Sequence, residues 1–266
     1  ALLQSIGVES NLVDRDTIDR LTPGLNLQGI GSGLHVLYDG EIDPHSIMMG
    51  YASHARRMGV RIMEGVEATG LEIRGERVTG VHTSAGLIST GCVVNAAGFR
   101  ARQVGRWAGM DLPIANLKRH ILVTGPVAGY AQPIPFTYEV EAAWYMRREG
   151  PGLLLGMGAV ETDEEEPQVD QTALDQIIEH AMYRAPALAT AGLVTSWAGL
   201  RPVTPDDDPI LGRAPRLPNF INDCGWGGHG IMNAPAAGMA LAELIIHGVA
   251  NSADISQFFF ERFQVN

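Results

Sequence analysis

The sequence predicts an α/β fold in which both ends of the chain build one domain and the middle builds another. Helix and strand signals alternate up to about residue 110 and return from about residue 196, whereas strands dominate the segment between them. The predicted division is 1–110 with 196–266 as one domain, and 111–195 as a domain built on an antiparallel sheet. No segment rich in proline, glycine and serine separates the two, so we expect them to share an interface.

The amino-acid composition excludes several classes of protein and of binding partner. The 266 residues are 45% hydrophobic, enough for a sizeable core, and the net charge of -11 argues against nucleic acid or an anionic membrane as partner. Cys92 and Cys224 are the only cysteines, which excludes a disulfide framework and a four-cysteine metal site, and we expect no metal. No signal peptide or membrane-spanning apolar stretch is seen, so the predicted location is the cytoplasm.

The first part of the chain contains helices followed by an antiparallel meander. Short helices are expected near residues 1–7 and 14–25. A longer one runs from Asp43, which suits a cap, to Gly59, with an apolar stripe that includes Met48 and Tyr51. Gly-containing turns then divide short β-branched runs, which predicts strands followed by a helix in the ranges 60–65, 68–86, 92–95 and 101–108.

Strands dominate the middle of the chain, and α/β signals follow it. Apolar and β-branched runs predict strands in 119–127, 136–148 and 152–158, and an amphipathic pattern predicts a helix in 172–188 that Pro186 ends. The last part reads as strand, loop, strand and helix, in the ranges 193–204, 206–215, 219–226 and 234–247.

Two segments carry features of a ligand site. "VVNAAG" (Val93–Gly98) is a strand that leads into a helix, which exposes amides at the carboxyl end of a sheet, although a plain strand–turn–helix gives the same pattern. In "GLRPVTPDDDPILG", Arg201 lies at an apolar strand end, where a guanidinium favours a planar carboxylate. An ion pair of Arg201 with one of Asp206–Asp208 is the structural alternative.

A glycine-rich run before the last helix is the third feature. "CGWGGHG" (Cys224–Gly230) leaves amides open at the positive end of a helix dipole, with Asn233 as the predicted cap. A glycine turn packed against another helix is the alternative. Tyr145 lies in the middle of a strand beside Arg147, where a tyrosine is most often part of the core.

Taken in order, four segments resemble those of one family. "VVNAAG", "YMRREGPGLLLG", "GLRPVTPDDDPILG" and "GWGGHGIMNAPAAGMALAELI" are similar to successive landmarks of the FAD-dependent D-amino-acid oxidase-like oxidoreductases, which include glycine, sarcosine and dimethylglycine oxidases and dehydrogenases. The resemblance implies a Rossmann-like FAD-binding domain and an antiparallel-sheet substrate domain. It also implies oxidation of an amino acid or N-methyl amino acid by hydride transfer to flavin, with a small-molecule amine as partner.

The resemblance also implies roles for individual residues. Arg201 would clamp a substrate carboxylate, Tyr145 falls on an active-site tyrosine, and His229 would be a proton relay or a packing residue. The implied FAD contacts are Ala68 at adenine, Ala97 and Gly98 on the nucleotide side, and, at the flavin edge, Gly227, Gly228, His229, Gly230, Ile231 and Met232. Gly199 stands where some members carry a flavin-linking cysteine, so the FAD is expected to be non-covalent.

One departure from the family concerns the dinucleotide fingerprint. The pattern G-x-G-x-x-G after a first strand is absent, and "GIGSGLHVLYDG" (Gly29–Gly40) lacks the strand and the spacing. We therefore expect that roughly the first hundred residues of the enzyme are missing, on the scale of one small domain. This chain alone is then an inactive fragment that holds FAD weakly, with a homo-oligomer or a partner chain supplying the rest. The alternative function is a non-catalytic scaffold or assembly factor of the same fold.

Overall fold

The computed structural model describes residues 2–264 and divides into two compact units. Unit 1 comprises Ala1–Asp43, Lys118–Val160 and Glu166–Gly199, and unit 2 comprises Pro44–Leu117, Glu161–Glu165 and Leu200–Asn266. Residues 1–43 thus group with the strand-rich middle, whereas the sequence-based division joined them to the following α/β segment. The reason is a set of hydrogen bonds to the helix at 171–184, among them Asn26 N to Arg184 O at 2.7 Å.

The secondary structure within residues 2–264 mixes helices with short strands. The helices are α1 (Leu2–Ser5), α2 (Arg15–Leu21), α3 (Pro44–Arg57), α4 (Ala101–Trp107), α5 (Gln171–Arg184) and α6 (Gly230–His247). The strands are β1 (Ser10–Val13), β2 (Gly33–Val36), β3 (Ala68–Arg74), β4 (Arg77–Thr83), β5 (Gly86–Ser89), β6 (Val93–Asn95), β7 (Ala115–Thr124), β8 (Thr137–Glu139), β9 (Trp144–Glu149), β10 (Gly152–Met157), β11 (Val160–Glu161), β12 (Leu193–Val203), β13 (Ile210–Ala214) and β14 (Leu217–Cys224).

Unit 1 is built on an antiparallel sheet covered by α5. The strand order is β11-β7-β10-β9-β8, with β12 also paired to β7. The pairs β7–β10, β10–β9 and β9–β8 are antiparallel. Alternate residues of β9, Trp144 and Met146, are fully buried, as the two-residue period of a strand requires. They pack with Leu153 of β10 and with Leu174 and Ile177 of α5. The predicted antiparallel sheet is confirmed.

A buried ion cluster joins α5 to this sheet. Arg184 and His180 on α5 both pair with Glu139 on β8, and the side chains of Arg184 and Glu139 are 8% and 10% exposed. Burial raises the pKa of Glu139, but the hydrogen bonds from Arg184 and His180 outweigh it and hold the pKa below its ordinary value. Arg184 also donates to the carbonyl oxygens of Asn26 and Gln28, which fastens the N-terminal segment to α5.

Unit 2 joins a short parallel sheet to a meander. β14 pairs parallel with β6 and antiparallel with β13, and β3, β4 and β5 form the predicted antiparallel meander. Asn219 on β14 connects the two, because its side chain accepts from Val78 N at 3.0 Å and donates to Val78 O at 2.7 Å. On α6, small buried residues such as Ala237 and Ala240 pack with Leu211 and Ile221 of the sheet.

Several sequence-based expectations differ from the structure. Residues 60–65 form no strand in the described chain, and the stripe on α3 is not buried, with Met48 and Tyr51 57% and 58% exposed. The predicted loop 206–215 contains β13, since Ile210 and Leu211 are buried and pair with β14. Proline and glycine suggested a loop there, yet Gly212 takes a left-handed φ of 139° and stays in the strand against the Phe259 ring.

Candidate functional site

The glycine-rich turn (Gly225–Gly230) connects β14 to α6 and is anchored to the end of β12. Gly225 and Gly227 have φ of 76° and 55°, which a side chain would strain. Gly227 N donates to Pro202 O at 2.8 Å, and the backbone of Trp226 forms an isolated antiparallel β-bridge with Val203. This anchoring fixes the turn beside the strand that carries Arg201.

Asp223, which the sequence reasoning did not single out, holds the turn from the other side. Trp226 Nε1 donates to Asp223 Oδ1 at 2.6 Å. Burial raises the pKa of Asp223, although the bond from Trp226 acts in the opposite direction. The neighbouring Cys224 thiol has its pKa raised to about 12, mainly by burial and then by Asp223, so it is not a nucleophile at neutral pH. The Asp-x-x-Trp spacing was the available signal.

The last helix starts earlier than expected. α6 begins at Gly230, with His229 as a cap whose side chain makes no capping hydrogen bond. Asn233, the predicted cap, lies within the first turn instead and donates from Nδ2 to His229 O at 2.9 Å. A Cβ at residue 230 would lie 3.2 Å from the Trp226 Cβ, which is a tight contact. The amides of the first turn, Gly230–Met232, lie at the positive end of the helix dipole.

Arg201 and the glycine-rich turn meet within unit 2. The half-buried Arg201 lies near the end of β12, and its guanidinium lies against the α-carbon of Gly228. A Cβ on Gly228 would lie 2.8 Å from both Cζ and Nη1 of Arg201. Asp206 is engaged elsewhere, because Arg262 binds its carboxylate at 2.7 and 3.1 Å and lowers its pKa. The Arg201 guanidinium thus lies at the start of α6. An anion bound there would contact both this guanidinium and the positive end of the helix dipole.

A cavity of about 220 Å³ borders the same turn. Its lining includes Trp226, His229 and Ala237 together with the acidic residues Asp207 and Asp208. Those carboxylates disfavour an anionic ligand in this cavity. The Arg201 side of the turn is therefore the better candidate for binding a carboxylate.

Tyr145 belongs to unit 1 and lies across a glycine of the neighbouring strand. It pairs with Gly156 on β10 and with Tyr138 on β8. A Cβ on Gly156 would overlap the phenol ring of Tyr145. The Phe136 ring stacks on Tyr145 with ring centroids 5.6 Å apart and an interplanar angle of 26°. Sequence reasoning missed Gly156 and Phe136, because cross-strand neighbours depend on register.

The other predicted cofactor contacts lie in unit 2. Ala97 and Gly98 follow β6, and Gly98 has a left-handed φ of 57° at the start of a 3₁₀ turn that leads into α4. Buried Asn95 stabilises this turn, since its side chain accepts from Ala97 N at 3.4 Å and donates to Ala101 O at 3.0 Å. Ala68 begins β3 in the meander and pairs with Thr83.

Register places two of these loops at one edge of the sheet. β6 and β14 are parallel with Asn95 opposite Asn222, and the two buried amides hydrogen-bond at 3.2 Å. The turn at Ala97 and the glycine-rich turn therefore both leave the carboxyl edge of this sheet. That edge is where nucleotide ligands bind in open α/β sheets.

A family model described as "FAD dependent oxidoreductase" matches residues 1–244. The chain belongs to this family. Human mitochondrial sarcosine dehydrogenase is 32% identical over 263 residues, covering 93% of this chain and 28% of the relative. Hydrogen cyanide synthase subunit HcnC of Pseudomonas aeruginosa is 29% identical, over 95% of this chain and 60% of the relative. The chain thus spans less than two thirds of these relatives.

Solved structures agree on the fold. L-proline dehydrogenase from P. horikoshii matches with a TM-score of 0.90 and 27% identity, covering 98% of this chain and 70% of that one. Glycine oxidase from Geobacillus kaustophilus matches with a TM-score of 0.87 and 20% identity, covering 98% and 69%. The fold is that of the FAD-dependent amino-acid oxidases, and FAD is the cofactor of the family. Among residues 2–264, no helix has the length and apolar character that crossing a membrane requires.

The residues present fit one side of a flavin nucleotide. Gly228 carries no side chain and is exposed, and no atom lies within 4 Å of where a Cβ of Gly98 would be. Gly98 therefore lets a planar or anionic group reach the main chain, whereas the Cβ side of Gly228 is occupied by the Arg201 guanidinium. The donors are backbone amides at the start of a helix, which suit an electron-rich ring edge or a phosphate.

Proposed function

We propose that this protein oxidises a small amino acid or N-methyl amino acid, with non-covalent FAD as electron acceptor. The observation that carries the proposal is the Arg201 guanidinium against Gly228, beside the first turn of α6, in a chain of the FAD-dependent oxidoreductase family. A guanidinium is the side chain that best matches a carboxylate, through two parallel hydrogen bonds. The names of the relatives, sarcosine and dimethylglycine dehydrogenases, are consistent with such substrates.

The chain's own residues bind and orient the substrate. Arg201 is proposed to hold the carboxylate, and the role of Tyr145 as an active-site tyrosine, which the resemblance implies, stays a separate proposal. Bound FAD would supply the acceptor for a hydride from the carbon beside the amine nitrogen. The substrate amine is neutral when it reacts, and the resulting imine is hydrolysed by water. The step needs no side-chain acid or base, so the site acts by orientation and electrostatics. His229 is exposed at the start of α6, and we propose it as a proton relay or a packing residue.

The residues proposed to hold FAD form two groups. Ala97 and Gly98 would contact the nucleotide side, and Ala68 the adenine. The proposed flavin contacts are Gly227, Gly228, His229, Gly230, Ile231 and Met232. The first-turn amides and the dipole of α6 favour negative charge on a ring edge held against them.

A matched pair of amines tests the proposal. Sarcosine and dimethylamine share the N-methyl group and differ only in the carboxylate. With FAD and an artificial electron acceptor, we expect the protein, once completed by its oligomer or partner chain, to turn over sarcosine or a related amino acid and not the decarboxylated amine. Equal turnover of both would contradict a carboxylate-binding role for Arg201. Bound FAD without turnover of any amine would favour the non-catalytic scaffold.

We also propose that the active protein is a homo-oligomer or is completed by a partner chain. Two relatives are named as subunits, HcnC of Pseudomonas aeruginosa and the sarcosine oxidase subunit beta of Rhodobacter capsulatus. Light scattering of the purified protein should give a mass above that of one chain. The predicted cytoplasmic location is likewise a proposal, which cell fractionation tests.

A further inference from the structure

Gly228 is the surface on which the Arg201 guanidinium rests. A Cβ at this position would lie 2.8 Å from Cζ and Nη1 and 3.1 Å from Nη2. The two shortest of these distances lie well inside van der Waals contact. The guanidinium therefore occupies a place that is open only while residue 228 lacks a side chain.

The conflict would move the arginine and leave the backbone in place. Gly225 and Gly227 need left-handed φ values of 76° and 55°, but Gly228 does not, so its backbone accepts alanine. The atoms that a new methyl group would meet belong to the end of a long flexible side chain, which can move away from it. Gly228 is also exposed, so the methyl group meets no buried core.

We propose that Gly228 is a positioning residue that sets where Arg201 holds the substrate carboxylate, and so determines preference for amino acids over simple amines. This inference rests on the proposed function of Arg201. Two parallel hydrogen bonds to a carboxylate require the planar guanidinium in one orientation. Displacement of about 1 Å from a productive geometry can cost about 100-fold in rate.

The experiment compares Gly228→Ala with Gly238→Ala, an identical change on α6 where a Cβ meets nothing within 4 Å. With FAD-loaded protein, we expect Gly228→Ala to lower kcat/KM for sarcosine by about 10- to 100-fold, with a rise in KM. The dissociation constant of benzoate, a non-reacting carboxylate, should rise in parallel by calorimetry. Gly238→Ala should leave both unchanged, and all three proteins should unfold at similar temperatures.

A double variant separates positioning from a general structural effect. If Gly228 acts through Arg201, adding Gly228→Ala to Arg201→Leu changes the benzoate affinity no further, whereas independent effects would add. Sarcosine turnover with unchanged KM and benzoate affinity in Gly228→Ala would overturn the inference and leave the proposed function standing. The wild type could oxidise no amine while Gly228→Ala, unlike Gly238→Ala, binds benzoate more weakly. That result would overturn the proposed function and support the positioning role. No benzoate binding by the wild type would overturn both.

Discussion

Replacing Arg201 by leucine removes the cation that the account assigns to the substrate carboxylate. Truncating one partner of a buried charge pair costs about 2–5 kcal/mol. Arg201 is half-buried, so solvent screens part of the interaction and we expect the lower end, about 2–3 kcal/mol. That loss corresponds to about 30- to 150-fold in kcat/KM for sarcosine, carried mainly by KM.

Steady-state kinetics and thermal unfolding together test this prediction. Arg77→Leu, the same substitution at an exposed position on β4, serves as the control and should keep wild-type kinetics. Loss of the packing of the Arg201 side chain should cost about 1 kcal/mol, a fall in Tm of about 2–4 °C. Wild-type KM in the Arg201→Leu protein would refute the assignment, and a loss of kcat with unchanged KM would point to a different role.

Two further predictions concern unit 1. The pKa of Glu139 is held low, so its stabilising effect is present above the unfolded value near 4.5 and is lost as pH falls through the folded pKa. Glu139→Ala, which leaves a buried arginine unpaired, should lower the free energy of unfolding at neutral pH by about 3–5 kcal/mol and flatten its acid dependence in urea titrations. Unaltered stability would contradict the buried ion pair. Gly156→Ala should displace the Tyr145 ring and raise the KM for sarcosine, whereas Gly192→Ala, where a Cβ meets nothing within 4 Å, should not. Equal kinetics for both glycine variants would contradict a role of Tyr145 in the reaction.

The sequence predicted those helices and strands whose caps, turns and side-chain period are set by residues close together in the chain. The glycine stop after α3, the meander of β3 to β5, and α5 with its proline terminator all follow from side-chain period and turn residues. β13 was missed because its proline and glycine resemble a loop, while its pairing with β14 is what makes it a strand. The start of α6 was misplaced because the anchoring of Trp226, and not an Asn233 cap, sets where the helix begins.

The candidate site shows the same division between local and long-range information. The residue types of Arg201 and the glycine-rich turn indicated an anion and a close approach to the main chain, and the structure brings these two features together. Gly156 and Phe136 beside Tyr145, and Asn222 beside Asn95, depend on strand register that one sequence does not specify. These contacts follow from the pairing of the strands in the structure.

The most direct test of the central claim is the visible absorbance of FAD bound to the protein as an amino acid is added without oxygen. Addition of sarcosine or a related amino acid should bleach the oxidised flavin band in proportion to bound flavin, and dimethylamine should leave it unchanged. A protein that binds FAD and keeps its full absorbance with every amine and amino acid tested would contradict the proposed oxidation.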